Sequence, residues 1–293
     1  MRVPWPLNDC TGFLYKEENG EFVPIGSSVY LVVQEGETIF SYQVTCKHVV
    51  RPLLDTGEAI YVRLNRSDRP SGVSYLELLG EWFFHDDPAV DLAVLHIQPT
   101  GEPFEVTLIG AGQLLTEERS RAKRHNVAAG DEVFFAGLFE PYHGHQRNLA
   151  TYRFGHVALL PQEKIRGPFG DAEYFLLEAL VFPFNSGSPL FSMYINPNGL
   201  IDYSIIGIVA GFFPDKQWVR TNEMGDIINF THLGISTAIP SDKVHEILFL
   251  NEKLVDARRK RIRAGRVGNQ QQPAGGLYPP AAPLPRKDAR SAP

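Results

Sequence analysis

The chain has 293 residues, of which 43% are hydrophobic and 11% aromatic, so it can bury a sizeable core and is not a disordered protein. No stretch approaches the roughly 18 uninterrupted apolar residues of a membrane span, and the first residues lack the apolar run of a secretory signal. Two cysteines, Cys10 and Cys46, are too few for a disulfide framework and are expected to be buried, unpaired thiols. We therefore predict a cytoplasmic protein without a membrane partner.

The net charge of −6 is distributed unevenly along the chain. From Asp256 onward nine basic residues stand against two acidic ones, which leaves an acidic body and a basic tail. Such a tail could contact nucleic acid weakly, but the sequence has no nucleic-acid recognition motif, and we do not expect that partner. Charge alone defines no oligomeric state.

Short segments rich in Val, Ile, Tyr and Phe recur along the first 240 residues, and turn-forming stretches separate them. The predicted strands are Ser28–Gln34, Ile39–Cys46, Ile60–Leu64, Val90–Ile97, Glu132–Leu138, Tyr174–Val181, Ser204–Ala210 and Gly234–Ile239. Neither a βαβ alternation nor a fixed repeat is present, which favours antiparallel sheets in a barrel or a sandwich. The chain is therefore predicted to be mainly β.

One helix is predicted at the end of this region. Ser241 suits its N-cap, Asp242 complements its dipole, and apolar residues recur at three- and four-residue spacing up to Leu250. The arginine-, glutamine- and proline-rich sequence that follows cannot bury enough apolar surface to offset its ordering entropy. We therefore predict a folded unit of residues 1–256 with this C-terminal helix, and a disordered tail of residues 257–293.

Three local sequences contain residue types that nucleophilic catalysis uses. His48 follows a predicted strand in VTCKHVV, Asp91 precedes another in DPAVDLAVL, and Ser186 lies in the small-residue turn FNSGSPLF. Each alone also fits a strand boundary or a plain loop. Small neighbours, however, expose a serine hydroxyl and leave backbone N–H groups free to face an oxyanion.

Together, and in the order His, Asp, Ser, these motifs resemble the trypsin/chymotrypsin-like serine peptidases, and more closely their bacterial HtrA/Deg and glutamyl endopeptidase-like branches. The segment Gly234–Ser241 also resembles the closing strand and helix start of the HtrA branch. The resemblance covers roughly residues 24 to 250 and includes no PDZ domain. It implies two antiparallel six-stranded β-barrels that act as a serine endopeptidase on a polypeptide substrate.

The resemblance also implies a role for each motif residue. His48 would be the general base, Asp91 would orient its imidazole, and Ser186 would be the nucleophile in preference to Ser188. The oxyanion hole would use the N–H groups of Ser186 and Phe184, at a position where the family usually has glycine. If positive φ is needed there, a phenylalanine is strained by roughly 1–3 kcal/mol. An alternative function is therefore a catalytically impaired scaffold that binds extended peptides.

Four further residues are expected to contact the substrate. The resemblance places Leu180 at the floor of the primary pocket, and Ala210, Gly211 and Phe212 in the strand that pairs with the peptide. No acidic residue lies near Leu180 in the sequence to attract Lys or Arg. The sequence therefore predicts a small or apolar residue before the scissile bond.

Metal binding is not expected. His143 and His145 could bind a metal, but no third ligand stands at a suitable spacing. Cys46 precedes His48 by two residues, and strand alternation favours a core thiol over a nucleophile at that position. We predict no metal and no cofactor.

Overall fold

The structure is a computed structural model, and it describes residues 3, 7, 9–69, 72–97, 103–123, 125–196, 198–221 and 225–268. This part of the chain forms two β lobes that follow one another in sequence. Four α-helices and two short 3₁₀ turns, Ala111–Gln113 and Glu140–Tyr142, complete the described structure. The expected double-lobed, mainly β architecture is confirmed.

The amino-terminal lobe is a sheet of nine strands. They are β1 (Thr11–Glu18), β2 (Glu21–Glu35), β3 (Thr38–Thr45), β4 (Tyr61–Arg66), β5 (Val73–Glu77), β6 (Trp82–Phe84), β7 (Ala93–Ile97), β8 (Phe104–Glu105) and β9 (Ile109–Gly110). Seven of them lie in the order β5-β4-β1-β2-β3-β7-β6. The short β8 pairs with β4, and β9 pairs in parallel with β2.

The carboxy-terminal lobe is a closed barrel. Its region contains β10 (Glu132–Gly137), β11 (Thr151–Leu159), β12 (Lys164–Gly167), β13 (Gly170–Glu173), β14 (Phe175–Glu178), β15 (Pro189–Ile195), β16 (Ile201–Thr221) and β17 (Gly225–Pro240). Six strands close in the order β10-β11-β14-β17-β16-β15, while β12 and β13 form a separate hairpin. The closed antiparallel arrangement leaves no free edge around the barrel wall.

The helices are α1 (Lys47–Thr56), α2 (Glu117–Lys123), α3 (Ser241–Phe249) and α4 (Glu252–Gly268). Helix α1 was not predicted, because Pro52 lies inside it and its apolar residues continue the preceding strand pattern. It buries Val49, Val50 and Leu53 and ends at Gly57, whose φ of 75° is left-handed. His48 thus lies in the first turn of a helix.

The predicted start of α3 and the predicted end of the fold both need correction. Ser241 is the first residue of α3, and the N-cap position is occupied by Pro240. The Ser241 hydroxyl donates to the carbonyl of Leu115 at 2.8 Å and does not cap the helix. Residue 256 lies inside α4, so the folded unit does not end there. Arg258 is only 2% exposed and bonds Glu35, and a long charged side chain can be buried when its polar groups are paired. Residues 269–293 of the expected tail lie outside the described residues.

One apolar core extends across both lobes. It joins Val44 and Leu92 of the first lobe to Phe134, Phe191 and Ile208 of the second. Cys10 and Cys46 are buried and unpaired, as expected. Within the described ranges, no helix combines the length and the apolar character that a membrane span requires.

Candidate active site

Strand pairing brings His48 and Asp91 together. Thr45 at the end of β3 pairs with Ala93 at the start of β7, so the residues just beyond them meet at one end of the sheet. Asp91 is fully buried; its Oδ2 lies 2.6 Å from His48 Nδ1, and its Oδ1 accepts the backbone N–H of His48 at 2.9 Å. The carboxylate therefore fixes both the start of α1 and the orientation of the imidazole, whose side chain is 33% exposed.

The loop that carries Ser186 docks against the amino-terminal lobe. The backbone N–H of Ser27 donates to the carbonyl of Ser186 at 2.9 Å, and that of Gly187 donates to Val209 at 2.8 Å. Gly187 has a φ of +94°, and a Cβ there would lie 1.9 Å from the carbonyl oxygen of Ser27. Only glycine permits this approach. A Cβ added to Gly26 would lie close to the carbonyl oxygen of Ser186 and to the side chain of Val49, the residue after His48. The serine motif and the histidine motif are therefore next to each other.

The hydroxyl of Ser186 is not directed at His48. Its Oγ donates to the carbonyl oxygen of Ala210 at 2.8 Å, and no hydrogen bond among the described residues joins Ser186 to His48. Ser188, the competing serine, is fully buried. The three expected side chains therefore lie at one site, with the serine engaged by a backbone acceptor.

Two backbone N–H groups face no acceptor at this site. Phe184 has a φ of 72°, the left-handed value considered in the sequence analysis, and its ring packs against the cluster that includes Leu138. Among the described residues, neither the N–H of Phe184 nor that of Ser186 has a hydrogen-bond acceptor. Left-handed backbone at a phenylalanine costs roughly 1–3 kcal/mol, and here it accompanies two N–H groups that are available to an anion.

Two residues that support this loop were missed by the sequence analysis. Asn185 is 1% exposed; its Nδ2 donates to the carbonyl of Leu138 at 2.6 Å, and its Oδ1 accepts the N–H of Phe182 at 2.9 Å. Ser27 Oγ donates to the carbonyl of Phe184 at 2.8 Å. A polar residue inside a small-residue turn was the available signal for Asn185, whereas nothing local marked Ser27.

Of the four expected substrate-contacting residues, Ala210 contacts the serine loop, because its carbonyl accepts the hydroxyl of Ser186. Leu180 is 48% exposed, so its apolar side chain is accessible. The ladder between β15 and β16 ends at Pro189 and Ile208, and the segment Ala210 to Phe212 extends beyond β15 along that edge. An extended peptide could pair with backbone there.

Cys46, His48 and Asp91 place their potential ligand atoms within 4.8 Å of one another. The Cys46 thiol donates to the carbonyl of Val209 at 3.3 Å, and burial raises its pKa well above the ordinary value. Because metals bind the thiolate, a buried, protonated thiol makes this a poor ligand set. Cys46 is accordingly a core residue, not a second nucleophile.

The described fold is of the chymotrypsin-like type. The chain is similar to the crystal structure of the MamO protease domain from Magnetospirillum magneticum, with 16% identity, a TM-score of 0.50, and 83% of this chain and 97% of that chain covered. The active form of the Rv3671c protease from M. tuberculosis matches with 15% identity, a TM-score of 0.44, and coverage of 83% and 80%. No family model and no curated protein matches the sequence. The likeness to MamO shows the fold alone.

Proposed function

We propose that the protein is a serine endopeptidase in which Ser186, His48 and Asp91 form the catalytic triad. The observation that carries the proposal is the 2.6 Å contact between His48 and the buried Asp91, beside the loop that carries the half-buried Ser186. A carboxylate that holds Nδ1 leaves Nε2 as the proton acceptor for a serine hydroxyl. A cytoplasmic location remains a prediction from the sequence.

The reaction would proceed through an acyl-enzyme. Ser186 Oγ attacks the peptide carbonyl and gives its proton to His48, which then protonates the leaving amine; water hydrolyses the ester in the reverse sequence. The N–H groups of Phe184 and Ser186 would stabilise the oxyanion. Each donor of such a pair lowers the activation free energy by about 2.7–4 kcal/mol. Exposed Leu180 favours a small or apolar residue before the scissile bond.

Substrate binding would also release the nucleophile. In the free protein the Ala210 carbonyl accepts the Ser186 hydroxyl at 2.8 Å. A peptide pairing with the edge at Ala210–Phe212 offers its own N–H to that carbonyl, and the hydroxyl is then free to turn to His48. The resting site is thus compatible with an active enzyme.

A fluorophosphonate probe tests the proposal. The protein should be labelled, Ser186→Ala and His48→Ala should abolish labelling, and Ser188→Ala, which alters a buried residue two positions away, should leave it unchanged. Peptide hydrolysis should follow the same pattern.

The alternative function, a protease-fold scaffold that binds extended peptides, is favoured by the Ser186–Ala210 hydrogen bond. If that bond persists when peptide is bound, the site recognises peptides without cleaving them. Absence of labelling and hydrolysis, combined with peptide binding, would support the scaffold.

A further inference from the structure

The side chain of Arg153 lies on the inner face of the barrel. Arg153 in β11 stands directly opposite Phe135 in β10, and directly opposite residues share a face. Phe135 is 1% exposed and belongs to the core inside the barrel. Gly155 lies two residues further along this face, and a Cβ added to it would be 2.6 Å from the Cβ of Ala179. Arg153 therefore faces the segment that begins at Ala179 and continues through Leu180.

Two aromatic rings hold the guanidinium beside the serine loop. Arg153 Cζ lies 4.3 Å from the ring centroid of Phe182 and 5.3 Å from that of Phe139. These rings contact each other edge to face at 5.8 Å. The backbone N–H of Phe182 donates to Asn185, the residue before Ser186, at 2.9 Å. Two contacts thus connect the guanidinium to the loop of the proposed nucleophile.

Arg153 has no partner for its charge. Across the described part of the chain, no carboxylate or other acceptor bonds it, and its Nε is buried without a hydrogen bond. The buried Arg63 and Arg258 differ in their charge partners: Arg63, whose Nε is also unsatisfied, bonds Asn148 and three backbone carbonyls through its terminal nitrogens, and Arg258 bonds Glu35. Aromatic faces attract a cation but accept no conventional hydrogen bond. One guanidinium nitrogen, Nε, is therefore buried and unsatisfied next to the candidate active site, while the Arg153 side chain as a whole is half-buried.

A carboxylate is the group that this arrangement lacks. The planar guanidinium fork matches a carboxylate in a bidentate pair, and partial desolvation strengthens that pair. We propose that Arg153 is a specificity-determining residue that binds the side-chain carboxylate of Glu or Asp in the bound peptide, an inference that rests on the proposed endopeptidase function.

The experiment compares glutamate with its neutral isostere. Eight-residue peptides with a central apolar residue carry a single Glu moved through every other position, and a second set carries Gln instead. Cleavage by the full-length protein is measured by mass spectrometry as kcat/KM. Binding of the same peptides, fluorescently labelled, to full-length Ser186→Ala is measured by anisotropy. At one position Glu should exceed Gln at least tenfold in both measurements.

Variants then assign this preference to Arg153. Arg153→Gln should reduce the Glu-to-Gln ratio below twofold, and Arg153→Lys should retain part of it because the charge remains without the planar fork. Arg166→Gln is the matched control, since Arg166 is exposed and paired with Asp171, and it should keep the full ratio. Thermal unfolding of each variant verifies that it is folded.

The outcomes separate the inference from the proposed function. Cleavage with a ratio below twofold at every position, or a ratio unchanged in Arg153→Gln, would overturn the role of Arg153 and leave the endopeptidase standing. No cleavage, but a Glu preference in binding that Arg153→Gln removes, would overturn the endopeptidase and support acid recognition. Should Arg153→Gln fail to fold, the ratios for the unaltered protein and for Arg153→Lys still decide the question.

Discussion

Ser27 Oγ donates a hydrogen bond of 2.8 Å to the carbonyl oxygen of Phe184 and accepts one of 3.0 Å from the backbone N–H of Leu138. Ser27 belongs to β2 of the amino-terminal lobe, whereas the other two residues belong to the carboxy-terminal lobe. A single hydroxyl therefore links the lobes at the loop that carries Ser186. Because it fixes the Phe184 carbonyl, it also restrains the neighbouring N–H groups of the proposed oxyanion hole.

Ser27→Ala should slow acylation at least tenfold and lower the free energy of unfolding by about 1–2 kcal/mol, because two backbone groups lose their partner. Stopped-flow acylation by an activated ester and urea unfolding measure the two effects. Ser28→Ala is the control: Ser28 is equally buried, donates to Gly12 and accepts from Gln43. It should cost similar stability with an unchanged rate, and an equal rate loss in both variants would contradict the link to the oxyanion hole.

At an ordinary position a glycine variant is less stable than an alanine variant. At Phe184 we expect the opposite order for Phe184→Gly and Phe184→Ala. Both variants lose the packing of the ring, but only glycine accepts a φ of 72° without strain. The glycine variant should therefore be more stable than the alanine variant by about 1 kcal/mol in urea unfolding. Because the left-handed conformation is already present, glycine should bring no tenfold gain in acylation. Equal stabilities would mean that the backbone at this position is not left-handed in solution.

Asp91→Asn should reduce kcat by about 10⁴-fold while leaving the fold intact, because an amide at the position of Oδ2 favours the wrong imidazole tautomer. Single-turnover acylation as a function of pH measures the loss. Asp87→Asn is the comparison, since Asp87 caps the backbone N–H of Ala89 at 2.9 Å and does not contact His48. A loss below tenfold for Asp91→Asn would contradict the role of Asp91 as the orienting acid.

Lowering the pH should reduce the free energy of unfolding, because His96 binds a proton less readily in the folded protein than in the unfolded chain. Burial, and secondarily Arg261, lowers the pKa of His96 to about 4. Between that value and the ordinary 6.5, the unfolded chain binds more protons than the folded one, so stability should fall as pH drops from about 6.5 to about 4. His96→Gln should flatten this part of the curve in urea unfolding. His156→Gln, at an exposed position, should leave its slope unchanged; equal slopes in all three proteins would rule out a contribution from His96.

Arg258→Ala should lower the free energy of unfolding by about 2–3 kcal/mol, because a charged hydrogen bond to Glu35 and a bond to the Leu248 carbonyl are lost from a buried position. Arg259→Ala should cost less than about 0.5 kcal/mol, since that exposed neighbour pairs only with Asp256 in the described chain. Urea unfolding compares the two. Similar values for both variants would show that α4 contributes nothing through Arg258.

The sequence alone predicted the mainly β fold and the order of the three motifs. His48, Asp91 and Ser186 could be located because each lies in a short segment whose neighbours set its environment. The lengths of β16 and β17 were not predicted, since the strand patterns at Ser204–Ala210 and Gly234–Ile239 cover only part of each strand.

Other features escaped prediction because they depend on residues far apart in the chain. The hydroxyl of Ser186 meets Ala210 within the second lobe, Ser27 meets Phe184 only after both lobes have formed, and Arg258 meets Glu35 only when α4 packs on the first lobe. A basic, polar composition beyond residue 256 predicted a disordered tail, yet α4 packs on the body through the apolar Leu254 and Ile262 and through the buried Arg258. Composition averages over a segment and misses such single contacts.

The close approach of Gly187 to Ser27 has a consequence for the newly made chain. The amino-terminal lobe carries His48 and Asp91, and Ser186 is synthesised about a hundred residues later. The serine loop gains its partner at Ser27 only when both lobes are in place, whereas its partner at Val209 belongs to its own lobe. A nascent or half-unfolded chain would contain all three side chains of the proposed triad without bringing them together. It would therefore lack the assembled site that the proposed hydrolysis requires.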